Sequence, residues 1–111
     1  VQVLIEAGAQ GATCRPPVAR LPPQTLIRLQ IVNRSTTPAI FAAPEFFRGA
    51  KVEDLTFAKV RDEGSVTTAG GVVSEIRLVT PQPGRYPYNC TAVAEGAKVG
   101  QPAEGVFEVA Q

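Results

Sequence analysis

Apolar and polar residues alternate along short stretches of this chain, and a period of two is typical of a β-strand with one buried face. The pattern is clear in residues 1–6, where Val1, Val3 and Ile5 share one face. It is strongest in residues 25–33, where both faces are partly apolar, as in a strand at the centre of a sandwich. Shorter alternating stretches predict further strands at residues 18–21, 39–41, 55–60, 72–79 and 105–109.

Glycine and proline separate these stretches and mark the turns between them. Two prolines at residues 16–17 make the strand at 18–21 an edge strand, because proline cannot donate a hydrogen bond within a central ladder. A Pro-Gly turn at residues 83–84 leads into a strand that ends at Cys90, with two tyrosines on the face that Cys90 shares.

Three stretches lack the alternation. The small residues 8–13 predict a loop leading to Cys14, and about fourteen residues after Cys90 show no period. Residues 45–48 predict a single helical turn with its phenylalanines against the sheet. Seven or eight short strands with Gly and Pro turns between them predict an all-β fold, a Greek-key β-sandwich.

Length and composition narrow the class of protein. The 111 residues predict one domain, residues 1–111, large enough to bury a core without obligatory staples. With 44% hydrophobic and 19% charged residues, the chain is not of the disordered class. No apolar run approaches the roughly 20 residues that a membrane helix needs, and a net charge of +1 without a basic cluster argues against nucleic acid as a partner. Because the sequence begins directly on Val1, we expect a mature or trimmed product.

The chain contains no histidine, no methionine and no tryptophan. Histidine is the commonest general base in enzymes and the commonest metal ligand. Its absence excludes Ser-His-Asp and Cys-His catalysis and a zinc ion held by imidazoles. We therefore expect a protein that is not an enzyme.

Over nearly its whole length the chain resembles the cupredoxin family. The matching features, in order, are residues 18–33, the pair Gly70-Gly71 before a strand, residues 83–90 and the final strand. The closest branch in appearance is the cupredoxin-like domains of bacterial periplasmic iron-uptake proteins. That likeness rests on residues 33–41 and on the basic and apolar stretch 46–52.

The resemblance implies a blue-copper site made of one Cys thiolate, two imidazoles and a weak axial Met. Cys90 stands where the thiolate belongs. The two imidazole positions fall in residues 38–40 and 91–93, which are Pro-Ala-Ile and Thr-Ala-Val here, and the loop before Gly105 holds no thioether. The resemblance therefore implies a cupredoxin-like domain that has lost its copper site and carries no cofactor.

The same resemblance implies a pairing of the two cysteines. In the cupredoxin topology the loop after the first strand lies at the pole of the metal loops, so Cys14 is expected near Cys90 and a Cys14–Cys90 disulfide is predicted. A disulfide in a small exported domain fits an oxidising compartment. Two alternatives stay open: a two-thiolate site for a soft ion such as Cu(I), and unlinked thiols with Cys90 buried as a small hydrophobe.

Carboxylates offer a second kind of metal ligand, because hard ions such as Fe(III) and Ca²⁺ prefer oxygen. They cluster in the middle third of the chain, at Glu45, Glu53, Asp54, Asp62 and Glu63, among four Lys and Arg residues. Their spacing matches no defined metal loop, and a solvated, charge-balanced face is the favoured interpretation. Two further carboxylates flank the region after Cys90, namely Glu95 and Glu104.

The phenylalanines are expected mainly in the core, with Phe41, Phe57 and Phe107 on strands. Phe46 and Phe47 are adjacent and cannot both face inward from a strand or an extended loop, so one of them is a candidate for an exposed contact. Core packing of the pair in an irregular loop is the favoured interpretation. The small apolar pole implied by the resemblance adds three further candidates for protein contact: Ala39, Ile40 and Val93.

Two hypotheses for the function follow. In the first, the chain is a non-enzymatic periplasmic or otherwise exported interaction module. It would serve a membrane-associated metal-transport or electron-transfer system and bind another periplasmic or membrane protein. In the second, it is a copper or iron carrier that uses Cys90 with Cys14 or with carboxylates.

Overall fold

Two five-stranded sheets face each other in the computed structural model, which describes residues 1–8, 11–56 and 58–111. The strands within these ranges are β1 (Gln2–Gly8), β2 (Gly11–Arg15), β3 (Val18–Leu21), β4 (Leu26–Asn33), β5 (Ala39–Ala42), β6 (Lys51–Thr56), β7 (Ser65–Thr68), β8 (Val73–Val79), β9 (Gly84–Ala94) and β10 (Ala97–Val109). One short helix, α1 (Pro44–Gly49), lies between β5 and β6.

The first sheet has the strand order β2-β1-β4-β8-β6, and the second has the order β3-β10-β9-β5-β7. Most neighbours are antiparallel, but β1 runs parallel to β4, and β3 runs parallel to β10. The chain changes sheets repeatedly, for example from β4 to β5 and from β8 to β9. The predicted all-β Greek-key sandwich is confirmed.

Strand β4 shows how the hydrophobic pattern sets the layers. Leu29 and Ile31 are buried between the sheets, while Leu26 and Arg28 are exposed on the opposite side. Hydrogen bonds to β1 on one side and β8 on the other make β4 the central strand of its sheet, as the pattern predicts. The edge position predicted for residues 18–21 is also confirmed, since β3 lies at the margin of the second sheet.

An aromatic cluster fills the core on the side of the second sheet. The ring centroid of Phe107 lies 4.5 Å from that of Phe46, 4.6 Å from that of Tyr88 and 6.2 Å from that of Phe41. All four rings are at most 2% exposed. Burying each such side chain contributes about 1.5–3 kcal/mol to stability.

Helix α1 buries both Phe46 and Phe47, in agreement with core packing and not with an exposed contact. Consecutive residues of a helix point only about 100° apart, so one broad apolar stripe can bury both. Phe46 packs on Phe107, and Phe47 meets the ring of Phe41 edge-on at 6.2 Å. Pro44 begins the helix, with Glu45 in the first turn. The predicted helical turn is therefore confirmed.

Other elements differ from the sequence prediction. The strand predicted at 55–60 lies earlier, at β6, and residues 58–60 are not strand. Phe57, predicted to be a core residue, lies outside the described residues. The strand β7 was not predicted, and residues 11–13 belong to β2 instead of a loop. Residues 97–104, which show no period, are the first half of β10.

Within the described residues, no helix is long and apolar enough to cross a membrane.

Candidate functional site at the Cys90 pole

Strand β9 carries Cys90 into the core. Its inward side chains include Tyr88, Cys90 and Ala92, all of which are buried. Cys90 lies opposite Phe41 of β5 and Ala103 of β10, and it is 0% exposed. The residue that the resemblance assigns to copper is therefore in the middle of the second sheet, facing the first.

A disulfide joins Cys90 to Cys14. Their Cα atoms are 6.0 Å apart, within the range of 4.4–6.8 Å that a disulfide spans. Cys14 lies on β2 of the first sheet, so the bond links the two layers of the sandwich. The predicted pairing is confirmed, with the correction that Cys14 lies on a strand and not in a loop.

The disulfide decides between the alternatives for the cysteines. Both sulfur atoms are bonded to each other, so neither is available as a thiolate, the form in which Cys binds a metal. The interpretation with unlinked thiols is wrong. The two-thiolate site likewise has no ligands in this disulfide-bonded state.

The first of the two imidazole positions is occupied by a surface proline and the start of β5. The side chain of Ala39 faces the core, while Ile40 points outward and is half-buried. The backbone N–H of Val93 donates to the carbonyl of Pro38 at 3.0 Å, which ties this segment to β9. None of these side chains can ligate copper.

The second position lies on β9 itself. Thr91 and Ala92 are buried, and Val93 is half-buried on the outer face of the sheet. Ala92 lies opposite Ala39, so the two small residues pack side by side where the imidazoles would be expected to converge. The pairing of β5 with β9 therefore brings small and mostly apolar residues together at the two imidazole positions.

Asn33 organises the loop at this pole and is only 1% exposed. Its side-chain Nδ2 donates to the carbonyl of Thr37 at 3.0 Å and reaches Thr68 Oγ1 at 3.3 Å. Its Oδ1 accepts from the backbone N–H of Ser35 at 3.0 Å and from the Ser35 hydroxyl. The loop after β4 is thus held to β7 by one side chain.

The region after Cys90 is a β-hairpin. Strands β9 and β10 pair up to Ala94 and Ala97, and the two turn residues between them, Glu95 and Gly96, have φ angles of 53° and 78°. Two positive φ angles in a row define the tight turn that fits the twist of a hairpin. The register of β10 against β9 shifts between Val99 and Ala103, which marks a β-bulge or irregularity. In this chain the region that the resemblance assigns to the second imidazole and the axial ligand consists of β9 and β10, with an irregularity between residues 99 and 103.

The side chains at these positions do not supply the thiolate and two imidazoles of a type 1 copper site. In the part of the chain that the structure describes, no three His, Cys, Asp or Glu side chains are grouped so that they could hold an ion. Glu95 is exposed in the turn, and Glu104 is exposed opposite Asn89. Glu53 pairs with Lys51 at 3.7 Å, in keeping with a charge-balanced surface. The carrier hypothesis thus finds no ligand group among these residues.

Two ionisable groups have pKa values that depart from the ordinary ones. The pKa of Glu63 is lowered from 4.5, first by a hydrogen bond from its own backbone N–H and then by one from the Ser65 hydroxyl. Burial raises the pKa of Tyr88 above 10.0, so this phenol stays protonated at neutral pH. Its hydroxyl donates to the carbonyl of Pro16.

Sequence reasoning missed the contact between Tyr88, Pro16 and Gly105. The Tyr88 ring lies so close to Gly105 that a Cβ there would overlap it. The only signal in the sequence is the glycine itself, at the start of a predicted strand, where glycine often marks a close approach.

The predicted contact residues fall into two groups. Ala39, Phe46 and Phe47 are buried in the core, so their side chains are not exposed for a contact. Ile40 and Val93 are half-buried on the outer face of the second sheet. These two remain candidates for a contact with another protein.

Comparison with known proteins gives a fold and no family membership. No family model matches the chain, and no curated protein matches it. Auracyanin B is similar in structure, with a TM-score of 0.59 and 17% identity over 99% of this chain and 88% of that one. Reduced auracyanin from the photosynthetic bacterium Roseiflexus castenholzii has a TM-score of 0.55 and 14% identity, over 99% of this chain and 97% of that one.

Lac15 from a marine microbial metagenome gives a TM-score of 0.59 and 14% identity over 98% of this chain. The chain spans 31% of the length of Lac15. Since auracyanins are cupredoxins, the fold of this chain is cupredoxin-like. Identities this low establish the fold alone, and the nearer resemblance to iron-uptake domains stays a prediction.

Proposed function

We propose that this chain is a non-enzymatic, cupredoxin-like interaction module that has lost the copper site of the fold. It would be an accessory part of a membrane-associated metal-transport or electron-transfer system and would bind another periplasmic or membrane protein. The domain would contribute a rigid surface to that assembly, and no redox centre of its own.

One observation carries this proposal: the sulfur at the copper-thiolate position is bonded to Cys14. A type 1 site needs that sulfur as a thiolate together with two imidazoles, and the chain contains no histidine. The apolar residues that occupy the pole suit packing and protein contact better than ligation.

The location in the periplasm or another exported compartment is part of the same proposal. Disulfides form and persist in oxidising compartments and are rare in the cytosol. A buried disulfide between two sheets is therefore expected in a domain that folds after export. A partner in the same compartment follows from that location.

Metal binding gives the direct test of the proposed function. The protein, purified without reductant, is mixed separately with Cu(I), Cu(II) and Fe(III), desalted, and assayed for bound metal and for visible absorption. We expect substoichiometric metal in every case and no intense blue colour. A copper-loaded auracyanin carried through the same steps shows that desalting preserves a true site. One tightly held ion per chain would overturn the proposal.

A further inference from the structure

A shallow apolar groove lies where the chain passes from β2 of the first sheet to β3 of the second. It is lined by Gln2, Leu4, Arg15, Pro16 and Pro17 and has a volume of about 390 Å³. Leu4 is half-buried on the outer face of β1, directly opposite Arg15, and Pro17 is exposed. The apolar surface of a leucine and two prolines is therefore open to a partner.

The groove is held rigid from three sides. Just before it, Cys14 is tied to Cys90 by the disulfide. The carbonyl of Pro16 accepts the hydrogen bond from the Tyr88 hydroxyl, and the carbonyl of Pro17 accepts one from the Val106 N–H at 2.9 Å. A surface fixed in this way loses little conformational entropy when a partner binds, which favours affinity.

Arg15 is the one charged residue that lines the groove. Its side chain is exposed, and its guanidinium has no ion pair or hydrogen bond with any described residue. The nearest carboxylate on the same face of β1 is Glu6, which lies diagonal to Arg15 in the register and does not pair with it. Gln2 is already engaged, since its Nε2 donates to Gln30 Oε1 at 3.0 Å.

We infer that this groove, the Leu4–Arg15 groove, binds a peptide segment of a partner protein that presents an apolar side chain next to a carboxylate. The apolar side chain packs on Leu4, Pro16 and Pro17, and the carboxylate pairs with Arg15. The inference deepens the proposed function and rests on it for the nature of the partner. Charge complementarity selects an acidic segment, because the only charge in the lining is positive.

Nuclear magnetic resonance of the ¹⁵N-labelled, disulfide-bonded chain tests the inference residue by residue. The probe is an acetylated and amidated peptide, Gly-Ser-Leu-Glu-Gly-Ser. Two matched peptides replace its Glu by Lys or its Leu by Ser. We expect a Kd in the millimolar range, because one apolar side chain and one exposed ion pair contribute little each. The largest shifts are expected at the amides of Gln2, Leu4 and Arg15.

Variants of the charged residue complete the test. Arg15→Glu is expected to weaken binding of the Leu-Glu peptide about two- to tenfold, and Arg15→Gln is expected to weaken it less. Arg48→Glu makes the same change of charge on the exposed surface of α1 and is expected to leave binding unchanged. The same spectra show whether each variant is folded.

Four results would overturn the inference. The first two are the absence of shifts with the Leu-Glu peptide and equal shifts with the Lys peptide. The third is a set of shifts at Ile40 and Val93 in place of the groove. The fourth is a concentration dependence of the shifts without peptide, which would indicate that a second copy of the chain binds there. Each is distinct from a failure of the proposed function, which would appear as bound metal after desalting.

Discussion

At the scale of single residues, Gly105 lies directly against the ring of Tyr88 and leaves no room there for a Cβ atom. A side chain at Gly105 would overlap the Tyr88 ring. Tyr88 is only 2% exposed, and its hydroxyl donates a hydrogen bond to the carbonyl of Pro16. Gly105→Ala should therefore force the ring or the strand to move, at a cost of about 1–3 kcal/mol. Urea unfolding measures this change in the free energy of unfolding.

Gly71→Ala is the matched control. A Cβ at Gly71 meets nothing within 4 Å, and only its φ of 75° is unfavourable for alanine. Its cost should be about 1–2 kcal/mol, from the left-handed backbone alone. If Gly105→Ala is less destabilising than Gly71→Ala, the close approach of the Tyr88 ring does not limit this position.

Asn33 gives a second prediction at this scale. Its Nδ2 donates to the carbonyl of Thr37 from a site that is 1% exposed. In Asn33→Asp this donor becomes a carboxylate oxygen facing carbonyl oxygens, and the loss should be about 1–3 kcal/mol at neutral pH. Asn89→Asp, on the outer face of β9, places a carboxylate opposite Glu104 and should cost only about 0.2–1 kcal/mol, because both side chains reach solvent. Similar losses for the two variants would contradict the role given to Asn33.

At the scale of elements, β9 and β10 form a hairpin in the region that the resemblance assigns to a metal loop. Glu95 has a φ of 53°, a conformation that glutamate adopts reluctantly and asparagine adopts readily. Glu95→Asn should therefore raise the free energy of unfolding by a few tenths of a kcal/mol, up to about 1. Thermal unfolding would reveal this as a higher Tm, whereas an unchanged or lower Tm would argue against a turn of this type.

Glu95→Val serves as the opposite case, because a β-branched residue strongly disfavours a positive φ. Its Tm should fall below that of the native chain. We expect the Tm to be highest for Glu95→Asn, intermediate for the native chain and lowest for Glu95→Val.

The elements also show what the sequence can and cannot predict. Strands such as β4 and β8 were located because one face of each packs against the opposite sheet and must be apolar. Strand β6 was misplaced because all but one of its six residues are exposed, so burial leaves no pattern there. Strand β7 was missed because two of its three buried residues are the polar Ser65 and Thr68.

The sequence likewise predicts only part of the candidate site. The pairing of Cys14 with Cys90 followed from the family topology, since 76 positions separate them and no local pattern connects them. The network of Asn33 could not be predicted, because its partner Thr68 is 35 positions away and belongs to a strand that was missed. The turn at residues 95–96 does carry a local signal for a hairpin, namely the glycine at its second position.

At the scale of the whole molecule, the disulfide is a covalent cross-link between side chains of the two sheets. It closes a loop with a sequence separation of 76, for which loop-closure entropy gives a stabilisation of about 4 kcal/mol as an upper value. The double variant Cys14→Ala with Cys90→Ala should therefore unfold at a clearly lower urea concentration. Native protein with and without a thiol reductant provides the matched pair, and equal midpoints for the two would contradict a structural role of the bond.

The central claim is that the Cys90 sulfur, which the resemblance assigns to copper, is bonded to Cys14 of the opposite sheet and so cannot serve as a metal ligand. Its most direct test is alkylation of the protein, unfolded in denaturant without reductant, followed by mass measurement of the intact chain. The account predicts that neither of the two cysteines is alkylated until a reductant is added. Alkylation of both cysteines in the unreduced protein would contradict it.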